Sequence, residues 1–301
     1  MAIEIPVVHT TVFAAAPGGG NPCPVCFDTD GLLTTTQMQG LAARFGHETA
    51  FVLKPAQPGA DLRLRYFVPN HEMEMCIHAT VGTITVLVEQ GVVTASPVRI
   101  ETPLGVIRAE WSREGEVITV MVEQFLPAFT EVNPAATEVA AALGISADLL
   151  ANEGLPIQAV STARAKLMVS LRDYGVLDAL QPDFEKLWEV CERYHNTGFY
   201  AFTLSTRQPD FDVDARQFPL RAGYPEDPAT GVAACALASY LTRYQGGVIK
   251  KEGWNGYRIG QGFAMGRPSV IQSEAFVENG AITATRVGGN ALILGEETIL
   301  M

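Results

Sequence analysis

This sequence predicts an α+β protein of two similar domains, with strand outweighing helix. Three observations carry that expectation. Short segments such as Ile5–Phe13 and Leu62–Phe67 alternate with the two-residue period of strands. Two runs of small and aliphatic residues, one after His78 and one after Thr230, have the make-up of helices buried on most sides. The second half of the chain also repeats the order of the first at a shift of about 151 residues.

The first strand, Ile5–Phe13, runs into Gly18-Gly19-Gly20, a loop by composition. Thr34–Phe45 reads as a short helix, with Thr34 to Thr36 as caps and Met38, Leu41 and Ala42 along one face. Strands are expected at Thr49–Leu53 and Leu62–Phe67, and a buried helix over Ala79–Glu89. Val98–Glu110 and Val117–Gln124 then read as two strands, with a turn at Arg113–Gly115 between them.

The repeat brings Leu41–Leu53 onto Glu192–Leu204, with Ala50-Phe51 on Ala201-Phe202, and Arg65-Tyr66-Phe67 onto Arg216-Gln217-Phe218. A period this long marks a duplicated domain rather than a solenoid. The plainer alternative is that any two mixed stretches align by eye; here order and spacing hold over most of both halves. Domains 1–128 and 129–301 are expected, with a small-molecule site where they meet. In that arrangement two helix N-termini would present free N–H groups and positive dipole ends, a receptor for a carboxylate.

Composition narrows the function classes. The chain has 301 residues, 48% hydrophobic and 18% charged, and a formal charge of −12. An acidic chain without a Lys/Arg cluster is a poor partner for nucleic acid or an anionic membrane. No apolar run approaches the ~18 residues of a membrane span, and the N-terminus lacks the pattern of a signal peptide. Five cysteines, at 23, 26, 76, 191 and 235, are an odd number, which argues against a disulfide framework and for a reducing, cytoplasmic setting.

Several residues stand out chemically. Glu48 begins an apolar strand, where desolvation would raise its pKa toward proton-transfer range; a solvated strand-end glutamate is the bland reading. His78 and Asp227 lie just ahead of the two buried helices, each close to an N-terminus, where simple capping or a structural role competes with catalysis. Cys76 would be a thiolate base only with a partner cysteine, but the repeat sets Pro228 against it, and Cys235 lies more than a helical turn further on. The single Cys23-Pro24-Val25-Cys26 has no second pair or histidines to complete a zinc site. Gly18-Gly19-Gly20-Asn21 matches no nucleotide-binding pattern, and neither HExxH nor GxSxG occurs, so no cofactor and no metal are expected.

Taken in order, these segments resemble the PhzF family of phenazine-biosynthesis isomerases, related in fold to diaminopimelate epimerase and proline racemase. The resemblance rests on Gly20-Asn21-Pro22, Glu48-Thr49-Ala50-Phe51, Arg65-Tyr66-Phe67-Val68-Pro69, Cys76-Ile77-His78-Ala79-Thr80 and Glu226-Asp227-Pro228-Ala229-Thr230-Gly231. Gln261-Gly262, Gly266-Arg267-Pro268-Ser269 and Val287-Gly288-Gly289 complete it. It implies two pseudo-symmetric domains, each a curved sheet or barrel around a central helix, with residues 287–301 returning to the first.

The resemblance also implies a cofactor-independent isomerase, acting as a homodimer on a small carboxylate-bearing substrate such as trans-2,3-dihydro-3-hydroxyanthranilate. Glu48 would move the proton, with His78 and Asp227 assisting. Asn21, Cys76, Ile77, Ala79, Thr80, Thr230, Gly231 and Val232 would bind the substrate. Two positions depart from the family pattern. Ile77 stands where glycine is usual, which would block a positive φ. Val232 stands where the isomerases have serine, removing a hydroxyl donor. Two other readings stay open: an amino-acid racemase or epimerase, and a non-catalytic binding protein on the same scaffold.

Overall fold

Strand β1 (Glu4–Val12) opens the chain in the computed structural model, which describes residues 3–151, 154–244 and 251–301. It is followed by β2 (Asn21–Phe27), α1 (Thr35–Phe45), β3 (Thr49–Leu53), β4 (Leu62–Phe67), β5 (Glu72–Met73) and α2 (Ile77–Glu89). β6 (Val98–Thr102), β7 (Gly105–Glu114) and β8 (Val117–Gln124) come next. Then follow β9 (Ala128–Phe129), α3 (Ala136–Leu143), β10 (Gln158–Ser161), β11 (Lys166–Ser170), α4 (Tyr174–Ala179) and α5 (Phe184–Arg193). β12 (Gly198–Thr203), β13 (Val213–Pro219), α6 (Gly231–Tyr244), β14 (Gly253–Gln261), β15 (Ser269–Glu278), β16 (Ala281–Gly289) and β17 (Ala291–Leu300) complete the order.

The chain divides into two units. One joins Met1–Ala14, Gly20–Glu123 and Gly288–Met301; the other joins Ala15–Gly19 and Gln124–Val287. Within the first, β1 is antiparallel to β2, β2 parallel to β3, β3 antiparallel to β4, β4 parallel to β6, and β6 antiparallel to β7. Within the second, the same series of directions runs through β10, β11, β12, β13, β14 and β15. A shared order of parallel and antiparallel steps is far more specific than shared composition. The duplication is therefore a property of the fold, which is the expected pseudo-symmetric α+β architecture.

Each unit has two apolar layers. In the first, every residue of α2 from Ile77 to Val88 is buried, and two of its hydroxyls turn back on the backbone: Thr80 Oγ1 donates to Cys76 O at 2.8 Å and Thr83 Oγ1 to Ala79 O at 2.7 Å. A second layer sets Met38, Leu41 and Ala42 of α1 against Ile5, Phe51 and Phe67. α1 starts where its sequence says it must. Thr34 and Gln37 form a reciprocal capping box, and the buried face is the one its spacing predicts. In the second unit α6 is the buried helix, and α3 and α5 cover the other sheet face through Val139, Leu143, Leu187 and Val190.

Two expectations need correction, and β2 falls where the sequence reading assigned no element. Pro22 and Pro24 of β2 both pair with β1 before β3 joins at Val25, so their missing N–H groups cost no bond to β3. The expected strand Val98–Glu110 is two strands, since Thr102 pairs back with Gly105 across a tight hairpin. Arg113 and Glu114 belong to β7, which leaves the next turn at Gly115-Glu116.

Candidate active site

The Glu48 segment is placed by the end of α1. Gly46 takes the left-handed conformation, φ 69°, and donates its N–H to Ala42 O at 3.0 Å, which closes the helix and turns the chain toward β3. Glu48 follows two residues later. Its side chain keeps 21% exposure, enough for a ligand to reach, while the packing around it raises its pKa by desolvation.

Cys76 stands at the N-cap of α2, where a cysteine provides no capping hydrogen bond. His78, in the first turn, brings its Nε2 to 3.7 Å from Glu48 Oε2 and its Nδ1 to 3.4 Å from Cys76 Sγ. The first distance is longer than a hydrogen bond. Thr80 Oγ1 donates to Cys76 O at 2.8 Å and so accepts from the Tyr66 hydroxyl at 2.7 Å. Glu48, Cys76, His78 and Thr80 are thus gathered at one end of α2. Asn21 is buried at the head of β2, opposite Val12. Ile77 and Ala79 bury their side chains, and Ile77 lies outside the positive-φ residues, so the strain expected from replacing glycine does not arise.

In the second unit the site residues surround the start of α6. Thr230 Oγ1 donates to Asp227 Oδ2 at 2.5 Å. Gln261 Nε2 donates to Asp227 O at 2.7 Å and to Thr230 Oγ1 at 3.1 Å, and Gln261 Oε1 accepts from Tyr200 OH at 2.9 Å. Gly231 is buried and Val232 is half-buried in the first turn. Gln261 and Tyr200 had no assigned role at the level of sequence; Gln261-Gly262 was the only signal pointing there.

The same anchoring device occurs in both units. Arg65 forms a two-pronged pair with Glu72, Nε–Oε1 2.7 Å and Nη2–Oε2 2.6 Å, and stacks on Phe67. Arg216 pairs with Glu226 at 2.9 and 2.8 Å and stacks on Phe218. Each ties the segment leading to a buried helix onto the preceding strand, and Asp227 N donates to Gln217 O at 3.2 Å. Two bidentate pairs at matching places fix the chain just ahead of the candidate residues.

The helix starts also correct the partner assigned to Cys76. Thr80 N bonds Cys76 O and Ala234 N bonds Thr230 O, both at 3.0 Å, so Thr230 rather than Pro228 holds the matching position. No second thiol stands there, which removes the two-cysteine basis for a racemase. Cys23 and Cys26 are free and buried on β2, and burial pushes both thiols well up, as inert core residues require. Among the described residues no three His, Cys, Asp or Glu side chains gather as a metal site, and no helix is long and apolar enough to cross a membrane.

Comparison with known proteins agrees with this fold. The family model PhzC-PhzF, phenazine biosynthesis-like protein, matches residues 10–297. The chain is 34% identical over 292 residues to trans-2,3-dihydro-3-hydroxyanthranilate isomerase of Pseudomonas chlororaphis, covering 96% of this chain and 97% of that one. It is 32% identical over 288 residues to the uncharacterized isomerase YfhB of Bacillus subtilis, covering 95% of each. Among solved structures it superposes on the Bacillus anthracis phenazine biosynthesis protein of the PhzF family with TM-score 0.88, 28% identity, and 99% and 100% of the two chains. A hydroxyproline epimerase from Agrobacterium vitis shares the fold, with TM-score 0.65 and 12% identity over 99% of this chain and 93% of that one. With the family match spanning nearly all of its length, the chain belongs to the PhzC-PhzF family of phenazine biosynthesis-like proteins and is an isomerase.

Proposed function

We propose that this isomerase moves a proton between two carbons of a small carboxylate-bearing substrate, with Glu48 as the transferring group and no cofactor. The substrate class is that of trans-2,3-dihydro-3-hydroxyanthranilate, after the Pseudomonas chlororaphis relative. The observation that carries the reading is the placement of a partly accessible, desolvated Glu48 beside His78.

The ionised Glu48 carboxylate takes a proton from one substrate carbon, and the C–H electron pair shifts into the neighbouring double-bond system. While on Glu48, which keeps partial exposure, the proton exchanges with solvent; a proton then passes from Glu48 to a second carbon, so carboxylate and substrate composition are both restored. A raised pKa makes Glu48 a stronger base and keeps its acid form usable for the return step. In this reading His78 steadies the charge that passes onto and off Glu48, and Asp227 holds a substrate hydroxyl or amine. Asn21, Cys76, Ile77, Ala79, Thr80, Thr230, Gly231 and Val232 form the binding set, the buried members acting through backbone N–H groups. The absence of a side-chain cap on α2 fits a substrate carboxylate at its N-terminus.

The homodimer implied by the family belongs to the same proposal and is tested by sedimentation equilibrium. Five buried cysteines outside any disulfide fit a reducing compartment such as the cytoplasm. Glu48→Gln tests the chemistry: it is expected to fold and to lose substrate-dependent uptake of solvent deuterium. Uptake at the wild-type rate would overturn the assignment.

A further inference from the structure

Gln261 ends β14, where that strand runs parallel to β13 and sets Gln261 beside Ala215. Its side chain is fully buried, and burial obliges each polar atom of the amide to find a partner. A side-chain amide offers two N–H donors and two acceptor positions on its oxygen, and Gln261 fills all four. Nε2 donates to Asp227 O at 2.7 Å and to Thr230 Oγ1 at 3.1 Å. Oε1 accepts from Tyr200 OH at 2.9 Å and from Thr230 N at 3.3 Å. Asp227 O can only accept and Thr230 N can only donate, so the amide has one permitted orientation. Three of its four bonds fall on the segment from Asp227 to Thr230.

The proton directions follow one from another. An ionised Asp227 carboxylate only accepts, so the single hydroxyl proton of Thr230 goes to its Oδ2 at 2.5 Å. Thr230 Oγ1 in turn takes its proton from Gln261. Behind the amide, Tyr200 is as fully buried as Gln261 and gives its hydroxyl proton to Oε1. A directed chain results, from Tyr200 through Gln261 and Thr230 to the Asp227 carboxylate. The backbone is equally close. Gly262 takes φ 80°, and a Cβ there would stand 2.7 Å from Pro228 O and 2.3 Å from Arg267 O. The residue after Gln261 therefore lies against the residue after Asp227.

We propose that Gln261 is a positioning residue that, with Tyr200 behind it, sets where the Asp227 carboxylate stands. The proposal rests on the reading of Asp227 as the holder of a substrate hydroxyl or amine. The chain fixes that residue at two points, its side chain through Thr230 and its backbone through the carbonyl. Rotating the carboxylate away breaks the charge-assisted bond from Thr230, and shifting the backbone leaves a buried Gln261 donor unmet. Both movements are therefore opposed. A misplacement of about 1 Å in a group that orients a substrate costs on the order of 100-fold in rate. The same geometry gives a role to Gln261-Gly262, which the proton-transfer scheme leaves unused.

Amide hydrogen exchange, followed by NMR on the full chain, reads the placement without any substrate. Gln261→Met keeps the length of the side chain and removes its hydrogen-bonding groups; Tyr200→Phe removes only the hydroxyl behind it. Exchange at Asp227 and Ala229 is expected to quicken at least tenfold in Gln261→Met and at least threefold in Tyr200→Phe, with the amides of β11 unchanged. Wild-type exchange at both positions in Gln261→Met overturns the proposal. So does faster exchange spread equally over β11, which would mark Gln261 as a packing residue only. If Gln261→Met does not fold, Tyr200→Phe decides by the same two outcomes. Turnover is measured alongside, with Asp227→Asn and the double variant. Gln261→Met is expected to lower kcat/KM at least tenfold, divided between kcat and KM as Asp227→Asn divides it, and less than threefold once Asp227 is already replaced. A tenfold loss that persists in the Asp227→Asn background overturns the proposal. Wild-type kcat/KM in Asp227→Asn, or no turnover by wild type, rejects the substrate-holding reading of Asp227 alone, and exchange then decides the placement.

Discussion

Glu48 Oε2 and His78 Nε2 lie 3.7 Å apart, one at the head of β3 and the other in the first turn of α2. The two elements are separated in sequence but are brought together by the turn at Gly46, which ends α1. This places a desolvated carboxylate and an imidazole at one helix end.

Glu48 carries a stability signature of its own. Its folded pKa is raised above the ordinary 4.5 by desolvation. Between those two values the folded chain binds more protons than the unfolded chain, so its contribution to stability is lost as pH rises through the folded pKa. Glu48→Gln is therefore expected to be more stable than wild type at pH 7 and equal to it below pH 4.5, as read from thermal melts at each pH. Wild-type kcat/KM is expected to rise with pH through the same raised value, because the base must be ionised.

Cys76 touches the His78 ring at 3.4 Å but has no thiol opposite it. Cys76→Ala is expected to reduce kcat/KM less than tenfold, far less than Glu48→Gln. Losses of equal size in steady-state assays would restore cysteine-based chemistry.

Arg216 and Glu226 are both 10% exposed and doubly hydrogen bonded. Arg216→Met leaves the Glu226 charge buried without its partner and is expected to cost about 3–5 kcal/mol in denaturant unfolding. Arg216→Met combined with Glu226→Leu should recover part of that loss. Recovery of stability without recovery of kcat/KM would show that the pair also positions Asp227.

Lys166 has the opposite linkage sign to Glu48. Its folded pKa, about 8, lies below the ordinary 10.5. Between these values the unfolded chain holds more protons, so wild-type stability rises with pH across that window. Lys166→Met is expected to be more stable than wild type at pH 7, with the advantage shrinking toward pH 10.5. Chemical denaturation of ligand-free protein along the series measures it.

The sequence shows α1 and its buried face clearly, because the capping box and the apolar spacing are local signals. β3 and β4 are legible for the same reason, as alternation within six residues is enough to specify them. β2 was hidden because prolines are harmless only where their missing N–H has no ladder partner, which depends on which neighbour lies alongside. The candidate residues Glu48, His78 and Asp227 were recognisable through their family contexts. Gln261 and Tyr200 were not, since their hydrogen bonds to one another and to Thr230 join residues far apart in the chain. The Arg65–Glu72 and Arg216–Glu226 pairs lay in the repeat, but only three-dimensional pairing gave the two glutamates matching roles.

Proton transfer by Glu48 is tested most directly by proton NMR of trans-2,3-dihydro-3-hydroxyanthranilate in D2O with wild-type protein and with folded Glu48→Gln. Deuterium entering a ring carbon as the substrate isomerises, and absent with the variant, is the expected result. Isomerisation at the wild-type rate by Glu48→Gln would contradict the assignment. No turnover of this compound by folded wild type would contradict the proposed substrate class.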